Sequence, residues 1–179
     1  MRRIAELMFT LLLMSSAYGQ QLLLMQRTWA QNQTTESSDC LQVESDGAYH
    51  FEHTMMDLWQ PGRREIHAGK LSDDEMKQLR EILDNPSLQS LATPTLGNGF
   101  MAPDFDFLWV TINRGNDAQH LVFESAAGPH KSSAGSRIPS LSQTPAMSPL
   151  MNWYKQISKR KNDIDKKATP TCSLNIRRQ

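Results

Sequence analysis

Apolar and polar residues alternate over the first part of the chain, which is the pattern of β-strands that bury one face. Residues 41–44 alternate and lead into the Asp-Gly dipeptide at 46–47, which is typical of tight hairpin turns. The return segment, residues 48–58, alternates again and brings Tyr49 and Phe51 to the same side. These segments predict a β-hairpin whose aromatic side faces the core.

Residues 63–67 predict a third, polar strand, and the apolar spacing then becomes helical. Ser72 is a favourable N-cap residue, and Glu75 completes a capping box, in which the two residues satisfy free backbone N–H groups at the helix start. Apolar residues recur at helical intervals as far as Leu83, and an Asn-Pro pair at 85–86 ends the pattern. A helix of about three turns is too short to be stable alone, so we expect it to pack on a sheet.

The second half of the chain predicts another hairpin and another helix. Residues 105–112 carry large apolar side chains on both sides, which is typical of a central strand, and residues 119–124 return as its partner. Ser, Ala, Gly and Pro dominate residues 125–148, which predicts a long loop, and residues 149–161 have apolar positions at helical spacing. We therefore predict an α+β fold with a single antiparallel sheet of four or five strands and two helices packed on one face.

Composition bounds the class of protein without indicating a chemistry. The chain has 179 residues, of which 39% are hydrophobic and 21% charged, and its formal net charge is zero. This is typical of one small globular domain and gives no general attraction to nucleic acid, so we predict no nucleic-acid partner. We also expect the protein to be a monomer. We expect the domain to span residues 40–160, after a flexible lead-in at 20–39 and before a basic C-terminal tail at 161–179. The tail raises one alternative, a structural envelope protein that touches anionic surfaces.

The N-terminal residues have the three-part pattern of a secretory signal peptide. Two arginines supply the positive start, residues 7–14 form an apolar region, and small residues at 17 and 19 form a cleavage site, with a second cleavage site after Ala30. The apolar stretch is shorter than the ~20 residues that span a bilayer, so we expect no transmembrane span in the mature form. The sequence thus predicts a signal peptide at residues 1–19 and a secreted or periplasmic protein.

The chain contains only two cysteines, Cys40 and Cys172, near the two ends of the predicted mature chain. In an exported protein an even pair of cysteines is more often a disulfide than two free thiols. We therefore expect a disulfide between them. Closing a loop of roughly 130 residues stabilises the fold by about 4–5 kcal/mol on the chain-entropy argument.

His50 and Glu52 are the best metal candidates in the sequence. On a strand they point to the same face, whereas His53 points to the other. Two ligands do not make a zinc site, and the spacing is not that of the helical His-Glu-x-x-His motif. We expect His50 and Glu52 to be exposed, and we keep a small metal-dependent hydrolase that uses them as an alternative function.

Nucleophilic catalysis has little support in the sequence. The chain has no Gly-x-Ser-x-Gly turn and no glycine-rich loop that leads into a helix. Asp104 and Asp106 alternate onto one face at the start of a strand, where we expect them to keep that face in solvent. We therefore predict a non-enzymatic protein without a cofactor.

Tryptophan residues indicate binding instead of catalysis. Trp59 lies next to a turn and Trp109 lies on the predicted central strand. Because Trp is enriched among the residues that dominate protein interfaces, both are candidates for a partner surface. The other interpretation is that they belong to the core or to its margin.

The order of these elements resembles that of the emfourin-like proteins, which are small bacterial α+β domains. The resemblance covers about residues 41–124 and includes the helix start Gly-Lys-Leu-Ser-Asp-Asp-Glu at 69–75 and the aspartate-led strand at 104–112. The founding member of that family inhibits a thermolysin-type metalloprotease, so the resemblance implies a protease inhibitor. Together with the export signal, this predicts an exported, protein-binding domain of the cell envelope whose partner is an exported protease or another envelope protein.

Overall fold

The computed structural model of the chain describes residues 20–31, 35–57, 60–92, 105–125, 138–160 and Cys172. Its strands are β1 (Gln21–Gln31), β2 (Thr35–Glu44), β3 (Ala48–Asp57), β4 (Gln60–Lys70), β5 (Phe105–Arg114) and β6 (Asp117–Glu124). Its α-helices are α1 (Asp73–Leu83), α2 (Pro86–Gln89) and α3 (Ser148–Ser158), and two short 3-10 helices cover Leu141–Gln143 and Pro145–Met147. The mixed α+β class predicted from the sequence is confirmed.

The six strands form one antiparallel sheet in the order β4-β3-β2-β1-β5-β6. The sheet thus has more strands than the predicted four or five, and the difference arises in the segment 20–39. This segment was expected to be a flexible lead-in, and that prediction is wrong because residues 21–31 form β1 and residues 35–39 form the first half of β2. The new strand is central: Met25 of β1 pairs with Leu41 of β2 on one side and with Val110 of β5 on the other.

The position of β1 bears on the two cleavage sites predicted near the N-terminus. Residues 1–19, the predicted signal peptide, lie outside the described residues. A cut after Ala30 would remove β1 and separate β2 from β5, whereas a cut after Gly19 leaves the whole sheet in place. Among the described residues, no helix is both long and apolar enough to cross a bilayer.

The two faces of the sheet differ in what they carry. We call the face that bears Met25, Leu41 and Val110 the core face, and the face that bears Cys40 and Glu52 the disulfide face. Strand residues on the core face form one buried cluster: Leu23, Met25, Leu41, Val43, Tyr49, Phe51, Leu108, Val110, Ile112, Leu121 and Phe123. Helical residues of the same cluster are Met76, Leu79, Leu83, Leu88, Leu150, Met151, Trp153, Tyr154 and Ile157. The prediction that the aromatic side of the first hairpin faces the core is thus confirmed.

The start of α1 has the predicted capping box. The Ser72 hydroxyl accepts a hydrogen bond from the Glu75 N–H (3.3 Å), and the Glu75 carboxylate accepts one from the Ser72 N–H (2.8 Å). The preceding residue, Leu71, donates its N–H to the Gly47 carbonyl (2.9 Å), which ties the helix start to the β2–β3 turn. Gly47 has φ of +89°, a conformation that glycine adopts without strain.

The end of the predicted loop at 125–148 is ordered. Residues 138–147 carry the two 3-10 helices, and Met147, the last residue of the second one, is fully buried. The Glu124 N–H donates to the Pro139 carbonyl (3.0 Å), which joins this segment to the end of β6. Residues 126–137 of the predicted loop lie outside the described part of the chain.

Candidate functional site

Exposed apolar side chains gather at one end of the sheet. Among the described residues, the exposed large hydrophobics are Trp29 (37% exposed), Met55 (41%) and Met56 (48%). Trp29 pairs with Ser37 across β1 and β2, and Ser37 pairs with Met55 across β2 and β3, so these three residues form a row on the core face. We call this row the distal patch. Its two apolar members are two strand spacings, or about 10 Å, apart. Met56 follows Met55 in the chain and points to the disulfide face.

An ion pair next to the distal patch joins two neighbouring strands. Arg27 of β1 makes a two-pronged ion pair with Asp106 of β5, through Nε (2.9 Å) and Nη2 (2.6 Å), and Nη2 also donates to the Ser125 hydroxyl (3.2 Å). The hydrogen bond to Asp106 raises the pKa of Arg27, against the opposing effect of burial. Asp106 was expected to keep the strand end in solvent. The structure instead leaves it only 15% exposed and paired, because β1, which the sequence did not reveal, lies beside β5.

A second polar connection runs through Asp39, which lies between Arg27 and His53 in the same row of the core face. One carboxylate oxygen accepts from His53 Nδ1 (2.6 Å) and the other from the Tyr154 hydroxyl of α3 (3.1 Å). Burial, followed by the nearby Asp39 charge, raises the pKa of Tyr154 far above its ordinary value. Arg27 and Asp39 are paired across β1 and β2 and attract each other through their charges. The Arg27–Asp106 pair and the contacts of Asp39 therefore form a polar network beside the distal patch that connects strands β1, β2, β3 and β5 with α3.

The predicted metal candidates lie on the disulfide face, where the structure joins Cys40 and Cys172 in the expected disulfide, with a Cα–Cα distance of 6.2 Å. Cys40 pairs with Glu52 in the sheet, and His50 lies two residues before Glu52 on the same face. His50 Nε2 donates to Glu52 Oε1 (2.8 Å), and the same oxygen accepts from the Cys172 N–H (2.8 Å). Arg64 of β4 places its Nε 4.0 Å from the other carboxylate oxygen.

The expectation that His50 and Glu52 are exposed is wrong. The Glu52 side chain is only 3% exposed and that of His50 only 16%. The reason is the disulfide, which holds Cys172 over this part of the sheet, where its N–H bonds the Glu52 carboxylate. One ligand atom from each of His50, Glu52 and Cys172 lies within 4.8 Å of the others. Sulfur in a disulfide is a poor metal ligand, so the oxidised form offers only His50 and Glu52, which bind each other.

Of the two candidate tryptophans, the structure describes Trp109. Trp109 of β5 is half-buried on the disulfide face, with its ring centroid 5.6 Å from that of Phe107. It therefore belongs to the margin of the packed structure and not to the exposed apolar group. Trp59 lies outside the described residues. The structure adds Trp29 as a candidate, which the sequence did not single out because its residue range was assigned to the lead-in.

A shallow groove of about 510 Å³ lies between the β2–β3 turn and α1. Most of its lining side chains are charged and both signs are present: Asp46, Asp73, Glu81 and Asp84 against Lys77 and Arg80. Arg80 reaches across it to the Ser45 carbonyl (3.0 Å). The arrangement is that of an ordinary solvated helix edge.

Comparisons with known proteins found no match for the chain. No family model matches it, and no curated protein or solved structure does either. Any function therefore has to be argued from the distal patch, the polar network and the disulfide face themselves.

Proposed function

We propose that the chain is an exported, non-enzymatic domain of the cell envelope that binds another protein through the distal patch. The observation that carries this proposal is the gathering of the exposed large hydrophobics at one end of the sheet, with Trp29 and Met55 on the same face. Scattered apolar side chains are normal on a protein surface, but a local group that includes Trp marks an interaction site.

The neighbouring polar network supports this proposal because it fixes the shape of the patch. Arg27 and Asp39 precede and follow the patch residues on their strands by two positions, and both are held by hydrogen bonds. A surface that is rigid before binding loses less conformational entropy when the partner arrives. The proposal also takes α1 and α3 to lie on the core face. The contacts of Tyr154 with Asp39 and Phe51 support this for α3, and the shared buried cluster supports it for α1. The patch then stands beside the helices and stays open to a partner.

The emfourin-like order of elements favours a protease of the thermolysin type as the partner. An exported inhibitor needs a rigid surface with a few apolar anchors, and Trp29 and Met55 supply them. Inhibition of such a protease by the purified chain is the direct test of this narrower version. Unchanged protease activity with the chain in excess would contradict inhibition while leaving protein binding to be tested separately.

Protein binding itself is tested by comparing substitutions of the patch residues with a substitution of Met56, which is the neighbour of Met55 in the chain. Extracts of exported proteins are passed over the immobilised chain, and affinities for any captured protein are measured with purified variants. Trp29→Ala and Met55→Ala are expected to weaken binding at least tenfold, because truncating an interface anchor costs about 2 kcal/mol or more. Met56→Ala is the matched control, since Met56 is exposed to a similar degree but points to the other face. Equal effects of Met55→Ala and Met56→Ala on the affinity, or the absence of any captured protein, would contradict the proposal.

Two alternative functions, a metal-dependent hydrolase and a structural envelope protein, have less support. A metal-dependent hydrolase needs three protein ligands and an open position on the metal, whereas His50 and Glu52 lie under Cys172 and bond each other. The basic tail at 161–179, on which the surface-binding alternative rests, lies outside the described residues apart from Cys172. That alternative stays a prediction, tested by salt-dependent retention of the chain on anionic vesicles.

A further inference from the structure

Four side chains that can bind a metal ion lie close together on the disulfide face. Cys40 and Glu52 are paired neighbours on β2 and β3, His50 lies on the same face one step along β3, and the disulfide brings Cys172 to them. Two thiolates, an imidazole and a carboxylate are all ligands that zinc accepts, and four of them complete its coordination. Neither cysteine has metal-binding spacing in the sequence, so only the fold reveals this set.

The distances suit a small metal ion. Ligand atoms of His50, Glu52 and Cys172 lie within 4.8 Å of one another, and the Cys40 sulfur is bonded to that of Cys172. Tetrahedral zinc has bonds of about 2.0–2.3 Å, which place its ligand atoms about 3.3–3.8 Å apart. Side-chain adjustments of about 1 Å therefore bring the ligand atoms of His50, Glu52 and Cys172 to these separations. The two sulfurs move apart to the same separation once they are no longer bonded to each other.

Burial and charge also favour a cation at this spot. Glu52 is a carboxylate with a side chain only 3% exposed, and a buried carboxylate needs positive partners. Zinc with two thiolates, the Glu52 carboxylate and a neutral His50 carries a net charge of about −1. Arg64, with Nε 4.0 Å from the Glu52 carboxylate, stands where it compensates that charge.

We propose that the reduced chain binds one zinc ion through Cys40, Cys172, His50 and Glu52, and that this metal site and the disulfide exclude each other. A thiol or phosphine reductant supplies two electrons, and two protons convert the disulfide into two thiols while the reductant is oxidised. Zinc then displaces one proton from each thiol. With four protein ligands the site is closed and structural, so that in either state a link holds Cys172 against β2 and β3. This inference is independent of the proposed protein binding.

The first test compares oxidised and reduced forms of the full chain. Cobalt(II) is titrated as a spectroscopic probe, and zinc is measured by elemental analysis after removal of unbound metal. The reduced chain is expected to bind one equivalent and to show the charge-transfer absorption of a cobalt–thiolate bond, which the oxidised chain lacks. A reduced chain without that absorption, or an oxidised chain that binds zinc equally tightly, overturns the proposal.

The second test separates the four-ligand site from binding by the thiolates alone. In the reduced chain His50→Ala and Glu52→Gln are each expected to weaken zinc binding at least about tenfold. His53→Ala is the matched control, because His53 is a near neighbour on the same strand that faces the other way. Unchanged zinc affinity of His50→Ala would overturn the proposal.

A final measurement covers the case in which reduction unfolds the chain. Circular dichroism of the reduced chain is recorded before and after zinc is added. If the signal of the sheet is lost on reduction, zinc is expected to restore it, since binding energy of a preformed site adds to folding. A chain that remains unfolded in excess zinc contradicts the site.

Discussion

Neighbouring residues of β2 and β3 are held in different ways on the two faces of the sheet, by noncovalent polar contacts on one face and by a covalent bond on the other. On the core face, Asp39 and His53 belong to a polar network of hydrogen bonds and ion pairs that reaches four strands and α3. On the disulfide face, Cys40 and Glu52 lie one residue away and both connect to Cys172, Cys40 through the disulfide and Glu52 through a hydrogen bond. The stabilisation is therefore distributed on the core face and concentrated in one covalent link on the disulfide face. Loss of a single group should cost more on the second face than on the first.

Removal of the disulfide is the change with the largest expected effect. The double substitution Cys40→Ser, Cys172→Ser is expected to lower the free energy of unfolding by about 2–5 kcal/mol, because the unfolded chain regains the freedom of a long loop. Urea unfolding of the variant is compared with that of the oxidised wild type, and the reduced wild type without zinc serves as a second form that lacks the disulfide. A loss below about 1 kcal/mol would show that the disulfide face is not held by this link.

Neutralising Asp106 tests one contact of the polar network. Asp106→Asn is expected to lower the free energy of unfolding by about 2 kcal/mol, since it leaves the half-buried Arg27 without its charged partner. Asp84→Asn is the matched control: its carboxylate lies 3.6 Å from Arg114, but the side chain is 75% exposed, so the expected loss is below about 0.5 kcal/mol. Equal losses in the two variants would refute the role given to the network.

Tyr154 allows the network to be tested by pH. Burial and Asp39 raise its pKa in the folded state above the value of about 10 in the unfolded state. The folded chain therefore keeps this proton when the unfolded chain loses it. The resulting stability is fully present below about pH 10 and declines above it, by about 1.4 kcal/mol per pH unit.

The matching variant is Tyr154→Phe. At neutral pH it is expected to lose about 1.5 kcal/mol, the worth of a hydrogen bond to a charged acceptor. Above about pH 10 the unfolding free energies of wild type and variant should converge, which chemical denaturation at several pH values measures. Parallel curves over that range would contradict a buried, protonated Tyr154.

The smallest expected effect comes from the cap of α1, which belongs neither to the polar network nor to the disulfide. Ser72→Ala removes the hydroxyl that caps α1 and is expected to cost about 1 kcal/mol in urea unfolding. It should leave protein binding unchanged, because the cap is not part of the distal patch. Weaker binding by a folded Ser72→Ala chain would place the start of α1 in the binding surface.

The sequence predicted those parts of the fold that depend on neighbouring residues. The capping box of Ser72 and Glu75 and the turn at Gly47 are local signals, and each appears where it was expected. β1 was missed because Leu22–Met25 continues the apolar character of the predicted signal peptide, so its pattern was assigned to export and not to the sheet.

The candidate sites were harder to predict because their members are far apart in the chain. Arg27 and Asp106 meet only because β5 pairs with β1, and Tyr154 meets Asp39 across 115 residues. The alternating strand pattern predicts that Glu52 is exposed, whereas its side chain is buried beside Cys172, which the disulfide brings from 120 residues away. Pattern and spacing carry no information about such contacts until the topology is known.

The central position of the first strand has a consequence for the order in which the protein is made. β1 emerges first from the ribosome and can pair at once with β2, yet its other edge stays open until β5 has been synthesised about 75 residues later. Cys40 must wait longer still, because its partner follows 132 residues behind it. During this interval the nascent chain exposes an unpaired strand edge and a free thiol, which are the two features that invite aggregation and wrong crosslinks. A chaperone that shields β1 during synthesis would protect the strand edge, whereas the Cys40 thiol on β2 stays exposed to wrong crosslinks until Cys172 arrives.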